Sequence, residues 1–295
     1  MKNLITIICS LCVLSIGITG CSKSEKPHLL VDPSSYDVIY GPLHTIESQC
    51  YSVTETDGQL VKGKQMAEAV PFSSLQIAPS SYREWDADTC LSLYVSYAAD
   101  GTVLKKAEYE HANGHRTRAT IYSGEKIELS QHNIYEGDSL LDMQSEDIYG
   151  NTYQWEIADN YPIGCKIYNQ EGELVCNQDM RYENKSLVYL AIEDLVNHEK
   201  NIANQEWNEW RQLMKIDRIY ESEGESHSIV YSYTYDDRHL LVHAQIDYDS
   251  FQPFTEGEFE YLSFDAYGNW LTRKITITGG KRECYLEERT ITYYE

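Results

Sequence analysis

Two histidine pairs and two carboxylate pairs are the residues whose types and spacing invite a chemical reading. His239 and His243 lie four apart, and His111 and His115 straddle an Ala-Asn-Gly turn. On a strand four residues span roughly 13 Å, so the rings at 239 and 243 point the same way without sharing an ion. His111 and His115 can face each other across a hairpin, but two ligands make no metal site. Asp86/Asp88 and Asp247/Asp249 each set two carboxylates on one strand face, the oxygen chemistry calcium prefers. Solvated acidic positions account for them more simply. With 47 acidic residues in the chain, carboxylate pairs arise everywhere, and spacing selects no glycosidase pair. The sequence has no HExxH, no G-x-S-x-G, no P-loop, no GxGxxG and no EF-hand loop. No catalytic residue, metal ligand or cofactor is assigned, and the expectation is a non-enzyme.

Aromatics and thiols carry more information. Twenty-five tyrosines against five phenylalanines call for aromatic area with a hydroxyl that reaches water, the signature of a half-buried sheet face. The row Tyr231, Tyr233, Tyr235 reads either as the sheet's own packing or as a platform on which sugars or an extended partner stack. Among the eight cysteines, Cys165 and Cys176 sit symmetrically about a turn. They would face each other across a hairpin, within disulfide reach if their pair is the non-hydrogen-bonded kind. Among the five cysteines that follow Cys21 the spacing C-x-x-C does not occur, which argues against zinc and redox work.

The N-terminus assigns the compartment. Lys2 precedes an apolar run from Leu4 to Ile18, short for a membrane span and typical of a secretory signal. Ile18-Thr19-Gly20-Cys21 resembles the lipobox of bacterial lipoproteins, with Ile18 in place of the usual leucine. That resemblance implies a signal peptide over 1–20, acyl chains on Cys21, and a tether over 21–37. Ser22 after the cysteine then points to the outer membrane, with the periplasmic side favoured. The formal net charge is −23, so the body will not seek nucleic acid or an anionic bilayer by charge.

The elements that position these residues are strands. Asp57-Gly58 joins two strand-like runs, and from Cys90 onward short runs rich in Tyr, Ile, Val, Thr and Trp alternate with turns of one type. Asp147-Ile-Tyr-Gly150-Asn151, Asn169-Gln-Glu-Gly172 and Asp265-Ala-Tyr-Gly268-Asn269 are the clearest, and Asp236-Asp-Arg-His239 is a version without glycine. Asp or Asn at the first position accepts a backbone N–H, and glycine at the fourth takes a positive φ. Phe264-Asp265-Ala-Tyr-Gly268-Asn269-Trp270 and Tyr168-Asn169-Gln-Glu-Gly172 resemble the YD repeat of the Rhs family, over roughly 90–185 and 216–295. The chain as a whole resembles uncharacterised Bacteroidota lipoproteins that begin on a Gly-Pro strand like Gly41-Pro42. Long Rhs proteins enclose a toxin; here no domain remains to be enclosed.

One stretch departs from the two-residue period. Val188, Ile192, Leu195, Ile202, Trp210 and Leu213 suit an apolar helix stripe, so one or two helices are predicted over about 186–214. The expected fold is therefore mainly β, a single domain over 38–295: an antiparallel hairpin meander forming a twisted sheet with the helices packed on it. The expected function is an envelope-anchored lipoprotein that binds or braces an envelope protein or glycan without catalysis. The alternatives are an envelope polymer hydrolase with an acidic site, and an assembly scaffold for an outer-membrane complex.

Overall fold

Turn chemistry sets the strand lengths. The computed structural model describes residues 30–31, 37–56, 59–67, 70–72, 75–249 and 254–295. The signal segment, Cys21, the tether apart from residues 30–31 and 37, and the Asp57-Gly58 turn lie outside these residues. Two kinds of connection recur. Short turns place both central residues at positive φ, at Asn113-Gly114, Asp159-Asn160, Asn184-Lys185 and Glu223-Gly224, the backbone twist that matches paired strands. Longer loops repeat one hydrogen-bond scheme. In the Asp265 loop, Gly268 N–H donates to the Asp265 carbonyl, Asp265 N–H to the Asn269 carbonyl, and the Asp265 side chain accepts from the Tyr267 and Asn269 amides. The loops headed by Asp86, Asn169, Asn208 and Asp236 share this scheme.

The chain divides into two compact units, one of residues Ala107–Val230 and one that includes the residues before it to Lys106 and Tyr231–Glu295. The first is a meander in which strands pair with their sequence neighbours, from His115–Ser123 through Lys126–Glu136 and Ser139–Asp147 to Glu199–Trp207 and Leu213–Ser222. Leu129, Ile167, Met180 and Leu213 are buried in it.

In the second unit Leu43–Thr56 is long enough to serve two partners on one side. Residues 51–56 pair with Gln59–Gln65, and residues 45–49 pair with Ser80–Trp85. On its other side the same strand pairs with the C-terminal Glu283–Tyr293, from Tyr285↔Ser52 to Tyr293↔Leu43. An open twisted meander would leave its first and last long strands as edges; here they cover each other, which removes two unpaired rows of backbone groups. Ile39, Leu43, Ile46 and Trp85 form a core beside this seam, with Leu91, Ile291 and Tyr293 packed against it.

The predicted helices are replaced by strands. Ser186–Asp194 pairs with Glu199–Trp207, which pairs with Leu213–Ser222, and the described residues contain no helix. Two turns hidden in the stripe account for the difference. Asp194 accepts the N–H groups of Val196 and Asn197, with His198 at positive φ. Asn208 heads a five-residue loop whose fourth position, where the Asn169 and Asp265 loops carry glycine, is Arg211 at φ 60°. Val188, Ile192 and Ile202 sit at a spacing that fits both periods, and without a glycine the breaks between them were not visible.

A side chain at positive φ costs roughly 1–2 kcal/mol relative to the right-handed region. Arg211→Gly is therefore expected to raise unfolding stability by about 1 kcal/mol in urea titration with an unchanged m-value. A loss of stability would mean that the Arg211 side chain holds the loop.

Candidate binding groove

Tyr233 is 2% exposed, while Tyr231 and Tyr235 on its strand are half-buried. The centre of the row is thus taken up by packing. His239 occupies the positive-φ position of the Asp236 loop. His115 stacks on Tyr135 at 4.7 Å and contacts Asp138 at 3.0 Å. Asp86 spends one side-chain oxygen on the amides of Asp88 and Cys90, and Asp247 receives the Gln245 amide.

Cys165 and Cys176 are both buried, free thiols. The expected facing pair is offset by two residues. A bulge between Ile167 and Tyr168 puts Cys165 opposite Gln178 and Cys176 opposite Ile167. Burial pushes both thiols up, Cys176 to about 12, with Cys176 adding to the shift at Cys165 and Asp194 to that at Cys176. A thiolate is the reactive form, so both are inert at neutral pH.

The second unit buries ionised groups that no motif announced. Asp37 is fully buried and takes the Trp270 indole N–H at 2.9 Å, the Leu241 amide at 3.3 Å and the Tyr261 hydroxyl at 3.3 Å. Arg273 reaches Glu287 through two nitrogens at 2.8 and 2.7 Å, and Asp37 at 3.6 Å. Arg289 lies 3.5 Å over the Trp270 ring and 3.9 Å from Asp37. Burial opposes charge on Glu287, yet Arg273 and Arg289 outweigh it and hold its carboxyl below the usual range. The Arg273 guanidinium is likewise held charged, Glu287 overcoming its desolvation. The cluster is closed to solvent, so its role is internal.

Open chemistry lies in the first unit. Ser139–Asp147 and Thr152–Ala158 are hydrogen-bonded neighbours in the sheet order. Between them runs a groove of about 470 Å³. Side chains bridge it: the Trp155 indole N–H donates to Ser145 Oγ at 3.1 Å, and the Tyr153 hydroxyl donates to Asp147 Oδ2 at 2.7 Å. Because strand side chains alternate, Met143, Ser145, Tyr153 and Trp155 belong to the inward set and form its floor. Asp142, Gln144 and Glu146 form one wall; Asn151, Thr152 and Gln154 form the other. A second groove of about 540 Å³ shares Thr152 and Gln154 and continues to Tyr168, Asn169 and Gln170.

The strand edges here are already served. Asp142 Oδ1 accepts the Met143 N–H at 2.8 Å, and Asn160 Oδ1 accepts the Leu140 N–H at 3.1 Å. Asp147 accepts the Tyr149 and Asn151 amides on one oxygen and the Asn151 side chain on the other. Burial and the Asp147 charge push the Tyr153 hydroxyl well up, keeping it a donor. The signal for the groove in the sequence was the amide-rich outward set beside Trp155, which reads as ordinary strand alternation.

Profiles of known protein families find no match in this chain, and curated proteins give none either. Among solved structures it is similar to a porin-like protein from Bacteroides uniformis ATCC 8492, at a TM-score of 0.40 and 11% identity over 85% of this chain and 98% of that one. A porin-like protein from Bacteroides vulgatus ATCC 8482 gives 0.38 and 10% over 66% of this chain and 95% of that one. The TcdB2-TccC3-Cdc42 complex gives 0.30 and 11% over 82% of this chain and 14% of that one. At these scores none of the three carries an inference about function.

Two expectations follow. Glu287→Gln removes one charge from a buried pair and is expected to cost about 3 kcal/mol. A carboxyl whose folded pKa is depressed contributes stability above its unfolded value near 4.3, and that contribution is lost as pH falls through the folded value. Denaturation midpoints measured from pH 7 to pH 3 should therefore fall less steeply in the variant than in the parent protein. Native protein treated with iodoacetamide at pH 8 should leave Cys165 and Cys176 unmodified, and denaturation without reductant should expose both; a peptide linking them would contradict the free thiols.

Proposed function

We propose that this chain is an envelope lipoprotein, anchored through acyl chains on Cys21 at the outer membrane, whose β body is a non-enzymatic binding module. The observation that carries the binding reading is the groove between Ser139–Asp147 and Thr152–Ala158. It has aromatic groups in its floor and amide, hydroxyl and carboxylate groups in its walls. Pockets that orient a ligand combine apolar surface with a few placed polar groups in this way.

Its carboxylates favour binding over hydrolysis. Asp147 is saturated by its own loop, and Asp142 is engaged by the Met143 amide and by Gln144 at 3.2 Å. Glu146 is the wall carboxylate left for a ligand, whereas glycoside hydrolysis uses a working pair. The anchoring reading rests on the lipobox-like Ile18-Thr19-Gly20-Cys21 and the apolar run before it.

Cys21→Ala is expected to move the protein from the membrane pellet to the soluble envelope fraction, because one residue carries the whole lipid anchor. A variant that still sediments with membranes after an alkaline wash would overturn the anchoring. Glu146→Gln, which keeps the wall's shape, should leave the protein without any hydrolytic phenotype to lose; a polymer-cleaving activity abolished by that change would install the hydrolase reading in its place.

A further inference from the structure

We infer that the groove is a carbohydrate site, one that takes a chain of neutral or amino-substituted hexoses and rejects polyanionic ones. This names the ligand class of the site proposed above and rests on that reading.

The walls speak first. Gln154 presents a carbonyl acceptor and an NH2 donor, Gln144 and Asn151 offer their carbonyl oxygens while their NH2 groups donate to Asp142 and Asp147, and Thr152 adds a hydroxyl. Sugar hydroxyls are both donors and acceptors, so amides satisfy them in either orientation. Tyr153 and Trp155 in the floor supply flat area for the C–H face of a pyranose.

Charge narrows the class. Asp142 and Glu146 stand in the wall and the lining itself holds no lysine or arginine, the nearest cation in register being the exposed Lys166 across from Gln154. Uronate, sulfate or phosphate groups would enter against like charge, in a chain of net charge −23. An amino group would meet Glu146 favourably.

Shape points to a chain rather than a single sugar. The two grooves share Thr152 and Gln154, and together they run from Asp142 across Thr152–Ala158 to Gln170 in the Asn169 loop. A peptide adding as a strand would need free edge amides. Those of Met143 and Leu140 are already taken by Asp142 and Asn160, which disfavours strand addition here.

The test applies the full-length protein, extracted in detergent, to a printed array of neutral, amino and uronate-containing oligosaccharides. Amide hydrogen exchange over 142–146 and 152–155 is followed with the best-bound sugar. Binding to neutral or amino oligosaccharides is expected, with slowed exchange in both segments and with the uronate spots empty. Gln154→Ala, at an exposed position shared by both grooves, should weaken binding about tenfold. Glu146→Gln should erase any preference for amino over neutral sugars and leave neutral binding in place. Equal or better binding of uronate chains would overturn the inference, as would sugar binding indifferent to Gln154→Ala. With the array blank, a photocrosslinker at position 154 separates the two failures. A protein caught in living cells would overturn the carbohydrate class and keep the binding module, and no adduct would overturn both.

Discussion

A carboxylate buried without partners is costly enough to be neutralised or expelled, and the second unit is organised around avoiding that outcome for Asp37. Its oxygens are met by the Trp270 indole, the Leu241 amide, the Tyr261 hydroxyl and, at longer range, Arg273 and Arg289. Arg273 is in turn fixed by Glu287, and Arg289 by the face of Trp270. These groups come from four strands, Leu241–Tyr248, Thr255–Phe264, Trp270–Thr278 and Glu283–Tyr293, and Asp37 from the segment preceding the sheet. They coincide only when Glu283–Tyr293 lies against both Trp270–Thr278 and Leu43–Thr56 in the observed register. A slip of one residue would turn Glu287 and Arg289 to the opposite face. The polar cluster thus adds to the register preference that the buried apolar face already sets.

The Asp265 loop reinforces the same junction. Asn269 accepts the Tyr40 N–H and donates to the Tyr40 carbonyl and the Tyr293 hydroxyl. The Tyr267 ring lies so close to Gly41 that a Cβ there would come within 2.8 Å of it, and Gly41 holds φ at 89°. The Gly-Pro start of the body, which the sequence offers only as a pattern, is the place where an aromatic ring needs bare backbone.

Strand content and loop chemistry were legible because they are local. Asp147, Asn169 and Asp265 announce their loops, and Tyr153, Trp155 and Ile157 show in burial the alternation they show in sequence. Loops whose fourth residue is Thr89, Arg211 or His239 lose the glycine that marks them, and tertiary pairing bears the strain instead. That loss turned the stretch from 186 to 214 into an apparent helix. The buried ions and the groove were hidden for another reason. Asp37 and Arg273 are separated by most of the chain, and the groove is made by side chains of two neighbouring strands together, an arrangement that neither strand's composition encodes. In the tyrosine row the packing reading holds at Tyr233, which is buried, while Tyr231 and Tyr235 stay half-buried.

The first unit is continuous in sequence, whereas the second is assembled from residues on both sides of it. The pairing of Leu43–Thr56 with Glu283–Tyr293 spans nearly the whole chain, so loop-closure entropy weighs heavily on it. A chain that emerges N-terminus first can complete the hairpins of Ala107–Val230 as they appear. Leu43–Thr56 must meanwhile wait with one edge uncovered and Asp37 without its arginines. The waiting interval is when this protein is most open to aggregation and proteolysis. Its length is set by how quickly the C-terminal sixty or so residues follow, which makes speed of delivery, more than final stability, the quantity on which successful folding turns.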